Sequence, residues 1–157
     1  ITLEVNGVQR SAAAPARMTL VDFLRDVLRL TGTHVGCEHG ICGACSILLD
    51  GEPVRSCLMY AVQADGHRVT TVEGLAGADG KLNVLQDSFC ETHALQCGYC
   101  TPGMLIASHA LLETETDPSE AQIREAISGN LCRCTGYQQI VAAVKLAAER
   151  KRKERTA

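Results

Sequence analysis

The segment Gly36-Cys37-Glu38-His39-Gly40-Ile41-Cys42-Gly43-Ala44-Cys45, continued by Ser46-Ile47-Leu48-Leu49-Asp50-Gly51, decides how this chain is read. Its three cysteines sit on one short loop, so their thiolates must point inward at a single small core. Bulky side chains would stop the backbone from closing around it. Gly36, Gly40 and Gly43 can take positive φ and bring N–H groups close to anionic sulfur. Ser46–Leu49 and Pro53–Cys57 read as a hairpin turned at Asp50-Gly51. That hairpin returns Cys57 to the loop as a fourth ligand.

The spacing Cys37-x4-Cys42-x2-Cys45 is that of a plant-type [2Fe–2S] loop. The flanking pattern agrees. Ile1, Leu3 and Val5 alternate with polar residues as a half-buried strand does, Asn6-Gly7 is a strong hairpin signal, and Val8–Arg10 begin the return strand. Leu20, Phe23, Leu24, Val27 and Leu28 recur on one helix face, with Thr19 placed to cap it. Val69–Val72 supplies a fifth strand. Two hairpins around one helix make a small α+β domain that resembles the β-grasp of plant-type ferredoxins, over residues 1–76.

Beyond Gly77 and Gly80, which mark a linker, the pattern becomes helical. Leu82, Leu85 and Phe89 share a helix face. Thr101 reads as a cap with Pro102 at the first helical position, ahead of Met104–Leu112. Ser119 and Gln122 form a capping-box pattern before Ile123 and Ile127, and Gly129 suits the stop. Ile140, Val141, Val144 and Ala148 define a last helix. Its tail, Glu149-Arg150-Lys151-Arg152-Lys153, reads as complementing a helix C-terminus and fraying into solvent. Four helices over 77–157 read as a compact four-helix bundle.

This half carries a second quartet, Cys97-x2-Cys100 and Cys132-x-Cys134. Each pair precedes a helix, so two positive helix ends face one anionic centre. The Cys-x-Cys pair does not readily close on itself as a disulfide, because its side chains diverge. A structural zinc ion on this quartet is the alternative that ligand type leaves open. A disulfide framework fits poorly with an odd count of 9 cysteines. Cys90, the ninth, reads as a small buried hydrophobe.

The bulk numbers narrow the function. The net charge is −3, which draws neither nucleic acid nor an anionic membrane. No run approaches the roughly 18 apolar residues of a membrane span, and the first residues lack a signal-peptide pattern. The cysteines are therefore expected in a reducing cytoplasm. Aromatics are only 3%, so the small aliphatic core needs stapling, and inorganic clusters would supply it.

Three segments carry a family resemblance: Gly36–Cys45, Leu95-Gln96-Cys97-Gly98-Tyr99-Cys100-Thr101-Pro102-Gly103-Met104, and Gly129-Asn130-Leu131-Cys132-Arg133-Cys134-Thr135-Gly136-Tyr137. Together they resemble the iron–sulfur subunit of the xanthine oxidase family of molybdenum hydroxylases, and the similarity covers essentially the whole chain. The resemblance implies two [2Fe–2S] clusters, one held by Cys37, Cys42, Cys45 and Cys57, the other by Cys97, Cys100, Cys132 and Cys134. It implies a large partner subunit with the molybdenum-pterin cofactor and a medium subunit with FAD, in a heterotrimer or a dimer of heterotrimers. Electrons would pass from molybdenum to the helical-domain cluster, then to the ferredoxin-like cluster, then to FAD. Gln96 and Cys134 would approach the pterin.

No acid/base pair or nucleophile constellation is visible, so this chain would relay electrons and leave substrate chemistry to a partner. His34 and His39 border the first loop, where a Rieske-like ligand role is conceivable. Four cysteines are already present, which makes surface or hydrogen-bonding roles the simpler reading; His67, His93 and His109 read as structural. Two other functions compete: a free ferredoxin-like carrier, marked by a monodisperse monomer, and a zinc-stapled interaction module, marked by zinc without sulfide.

Overall fold

The computed structural model describes residues 1–77 and 79–156. Ala78, inside the expected linker, and Ala157 lie outside the described residues. Five strands form one mixed sheet: β1 Thr2–Val5, β2 Val8–Ser11, β3 Ser46–Leu49, β4 Glu52–Arg55 and β5 Arg68–Thr70, in the order β2-β1-β5-β3-β4. β1 and β5 run parallel; the other pairs are antiparallel. Both hairpin turns fall where expected. Asn6 and Gly7 have φ of 53° and 77°, and Asp50 and Gly51 have 51° and 94°, the left-handed pair that a two-residue hairpin turn requires.

α1 (Leu20–Asp22) is short and widens into a π turn over Phe23–Val27. Thr19 caps it, its hydroxyl accepting from the Asp22 amide at 3.2 Å. Leu20, Phe23 and Leu24 are fully buried against Leu3, Val5, Ile47 and Val69. The strand expected at Val69–Val72 ends at Thr70, because Val72 opens a 3-10 turn. The strand expected to reach Cys57 ends at Arg55, and Cys57 sits on the next 3-10 turn, Ser56–Leu58.

The second half holds α2 (Val84–Glu91), α3 (Thr101–Thr114), α4 (Glu120–Ile127) and α5 (Gln138–Thr156) around a shared core that includes Phe89, Met104, Ile106, Ile123, Ile140 and Val144. The capping box at Ser119 forms as expected, with the Ser119 hydroxyl accepting from the Gln122 amide at 3.3 Å.

Three expectations for this half are corrected. Leu82 precedes α2 and is exposed. Thr101 is not the cap of α3: Cys100 holds that position, and Thr101 enters the first turn with its hydroxyl buried and unpartnered. α4 ends at Ile127 with Ser128 as its C-cap, so Gly129 stands just past the cap, as expected of a stop. The basic tail of α5 remains helical to Thr156, and Arg150, Lys151 and Arg152 pair with Glu91, Glu113 and Asp117. The acids that tie it down come from α2, α3 and the loop after α3, so it is anchored where fraying was expected.

β3 joins the two halves. Successive strand residues face opposite sides of a sheet. Ile47 therefore enters the core beneath α1, and Leu48 enters the helical core. This explains why the run Ser46-Ile47-Leu48 is buried throughout instead of alternating.

Candidate metal centres

The first loop leaves the end of the π turn and returns into β3. The Cys37 sulfur accepts two amide hydrogen bonds, from His39 and Cys42, each at 3.4 Å. Left-handed backbone at Glu38, Gly40 and Gly43 curls the chain so that these amides converge. The Cys42 amide foremost, then that of His39, lowers the Cys37 thiol to about 6. Cys45 and Cys57 lie together in a small buried cluster with Val21. The Ser56 amide and hydroxyl both donate to the Cys45 carbonyl, at 3.3 and 2.7 Å, and seat the turn that carries Cys57. Burial, then a hydrogen bond with Cys45, raises the Cys57 thiol to about 11.

The second group draws on two loops, one from α2 to α3 and one from α4 to α5. The Cys134 thiol donates to the Cys97 sulfur across 3.5 Å. The Tyr99 amide first, and that thiol second, hold Cys97 below the usual thiol range, while the bond to Cys97 raises Cys134. Burial and contact with Cys132 raise Cys100 to about 12. Burial pushes Cys132 the same way, but the Thr135 hydroxyl and the Thr135 and Cys134 amides outweigh it, and this thiol ends low.

All nine cysteines are thiols. The expectation for Cys90 is corrected: it is exposed, one residue past the buried Phe89 on α2. Among the described residues, no three His, Cys, Asp or Glu side chains converge tightly enough for a single metal ion. An all-thiol donor set with amide N–H groups aimed at sulfur is the environment an iron–sulfur cluster takes.

The two sites share a wall. A cavity of about 190 Å³ is lined by Gly36, Cys42 and Ala44 from the first loop and by all four cysteines of the second group. The Leu131 amide, next to Cys132, donates to the Cys42 carbonyl at 2.8 Å. Below this contact Asn130 is buried, and its amide donates to the carbonyl of Gly43 at 3.0 Å and the hydroxyl of Ser46 at 3.3 Å. Arg55 closes the seam, donating to the Ser46 hydroxyl at 2.6 Å and the Gly129 carbonyl at 2.7 Å.

His34 stacks on Tyr99 with ring centroids 4.9 Å apart, its Nδ1 2.9 Å from the Tyr99 carbonyl, and the Tyr99 hydroxyl donates to the Val35 carbonyl. His34 is thus engaged in bracing one loop against the other. His39 contributes its backbone amide to Cys37. Gln96 is exposed and precedes Cys97, whose sulfur meets that of the exposed Cys134. Arg55, Asn130, Tyr99 and Thr135 were not singled out by sequence. No local pattern marks the bonds by which Arg55 and Asn130 cross the seam, because these span 74 to 87 residues.

These environments predict an order of reactivity in the cluster-free chain, since the thiolate is the nucleophile. Cys37 should alkylate ahead of Cys57 and Cys100 at neutral pH, with a rate half-maximal near pH 6. Mass spectrometry of alkylated peptides across pH tests this. A Cys37 midpoint near the ordinary thiol value of 9.0 would contradict it.

Comparison with known proteins agrees with this geometry. Residues 3–76 match the 2Fe-2S iron-sulfur cluster binding domain and residues 71–145 the [2Fe-2S] binding domain. The fold and its two thiol groups define a two-cluster [2Fe–2S] protein of the electron-transfer class. The chain is 59% identical to the caffeine dehydrogenase subunit gamma of Pseudomonas sp. (strain CBB1), covering 92% of this chain and 88% of that one. It is 56% identical to the nicotine 6-hydroxylase small subunit of Paenarthrobacter nicotinovorans, over 92% and 86% of the two chains. The crystal structure of quinoline 2-oxidoreductase from Pseudomonas putida 86 superposes with a TM-score of 0.93 at 52% identity, over 98% of this chain and 95% of the matched one. The chain belongs to the xanthine oxidase family of molybdenum hydroxylases, as an iron–sulfur small subunit.

Proposed function

We propose that Cys37, Cys42, Cys45 and Cys57 ligate one [2Fe–2S] cluster and Cys97, Cys100, Cys132 and Cys134 the other, within an electron-relay subunit of a molybdenum hydroxylase complex. A bound [2Fe–2S] cluster supplies reversible one-electron transfer. The residues of this chain hold the two sites against a common wall and direct amide donors at the ligand sulfurs. The observation that carries the reading is the Leu131–Cys42 backbone hydrogen bond, which joins a residue beside a ligand of one quartet to a ligand of the other.

The finer reading follows from this. The chain divides at about residue 76 into a β-grasp half and a four-helix-bundle half. Gln96 and Cys134 face the pterin of a large molybdenum subunit, and electrons entering there leave by the Cys37 quartet toward FAD in a medium subunit. Two exposed apolar patches support two such contacts. Ile41 and Leu58 flank the first site, while Leu95 and Leu131 flank the second; apolar groups gathered beside a site commonly mark an interface. Among the described residues no helix is long and apolar enough to cross a membrane, and assembly in the cytoplasm as a heterotrimer, or a dimer of them, is part of the same proposal.

Anaerobic purification of the native complex tests it. About four iron and four acid-labile sulfides per chain are expected, with a molybdenum-containing partner in the same peak. Zinc without sulfide, or a monomer with no partner, would refute the assignment.

A further inference from the structure

Cys132 lies in a tightly tied loop. Gly136 and Tyr137 both take left-handed backbone, with φ of 63° and 69°, and fold the chain back before α5. The Tyr137 hydroxyl accepts from the Cys132 amide at 2.9 Å. The Tyr137 amide donates to the Thr135 hydroxyl oxygen at 3.2 Å, and that oxygen lies 3.0 Å from the Cys132 sulfur.

The direction of the last contact follows from donor and acceptor counting. A backbone amide only donates, so it occupies a lone pair of the Thr135 oxygen. The hydroxyl hydrogen remains for another partner. A cysteine that ligates a metal is a thiolate with no hydrogen to give. Thr135 is therefore the donor and the Cys132 sulfur the acceptor.

We propose that the Thr135 hydroxyl is a redox-tuning donor to the ligand sulfur of Cys132, raising the reduction potential of the cluster on the Cys97, Cys100, Cys132 and Cys134 quartet. The role rests on the ligand assignment proposed above. One-electron reduction adds a negative charge that is shared with the ligand sulfurs and breaks no bond. A hydrogen bond to sulfur strengthens as that charge builds and so favours the reduced form. Thr135 touches a ligand from one side of the site only, so the effect is confined to one cluster.

The test is a redox titration of the intact complex, followed by electron paramagnetic resonance, for wild type, Thr135→Val and Thr135→Ser. Valine keeps the branched shape and removes the donor. It should shift one of the two cluster signals to lower potential and leave the other in place. The expected change is on the order of three- to tenfold in the reduction equilibrium, a tenfold change being about 59 mV for one electron. Serine restores the hydroxyl and should restore the potential, which a purely structural role in the turn would not require. A valine variant with both signals intact and unmoved overturns the proposal.

Should valine cost the cluster itself, the wild-type complex still decides. Electron–nuclear double resonance on the reduced cluster should show a strongly coupled exchangeable proton that serine retains and Thr135→Ala loses. Its absence from the wild-type spectrum overturns the proposal. A wild-type complex with no cluster signal would sink the ligand assignment as well, and is distinct from a signal that is present and unshifted.

Discussion

Replacing Gly103 by alanine is expected to lower the melting temperature of the protein by about 10 °C or more. Gly103 lies in the first turn of α3, three residues after Cys100. A Cβ there would collide with the Gly43 carbonyl and come within 2.8 Å of the Asn130 amide nitrogen. The first obstacle is backbone, which cannot rotate aside. The second is a side chain fixed by its own hydrogen bonds to Gly43 and Ser46. Relief requires α3 to withdraw from the first cluster loop. Overpacking a tight site costs about 1–3 kcal/mol even when side chains can adjust, and this seam sits at or above that range. For a domain of this size each kcal/mol moves the midpoint by roughly 2–4 °C. Gly51→Ala provides the contrast: nothing lies within 4 Å of its added carbon, and only backbone strain of about 1–2 kcal/mol applies. Calorimetry on the two variants checks the ranking, and a Gly103→Ala protein that melts within about 2 °C of wild type would show the seam to be loose.

The second large effect is expected for Cys132→Ser. Cys132 shares a hydrogen bond with Cys100 and anchors the Thr135 turn. Serine is nearly isosteric but removes the soft sulfur ligand. One of the two reduced-state signals should vanish, with the iron content falling by about half, while the Cys37 quartet keeps its cluster. Loss of neither signal would mean the quartets are wrongly grouped. Cys90→Ala should keep both signals, because Cys90 lies on the exposed face of α2.

Where a local code exists, the sequence carried the fold. Asn6-Gly7 and Asp50-Gly51 tolerate the left-handed pair of their turns, and the Ser119–Gln122 box closes over four residues. The two cysteine loops stand out in the sequence for a related reason, since spacing on a short loop limits what its sulfurs can surround. Other features depended on distant partners. Cys100 displaced Thr101 from the cap of α3 because it lies where two loops meet. The basic end of α5 stays ordered because acids from other helices reach it. Cys90 sits about 140° around α2 from Leu85 and is exposed, so its neighbour Phe89 faces the core and it does not. Nothing local marks Arg55, and Asn130 falls in a family motif that does not reveal its role, although together they fasten the two halves.

That fastening extends to the main chain. Gly43 has φ of 74°, and any Cβ on it would fall 2.5 Å from the Gly129 carbonyl. The main chain of the first cysteine loop thus lies directly against that of the second. The shape of each loop at the seam is set in part by the backbone of the other. A change that opens the seam is therefore expected to be felt in both cysteine loops, even where it touches only one.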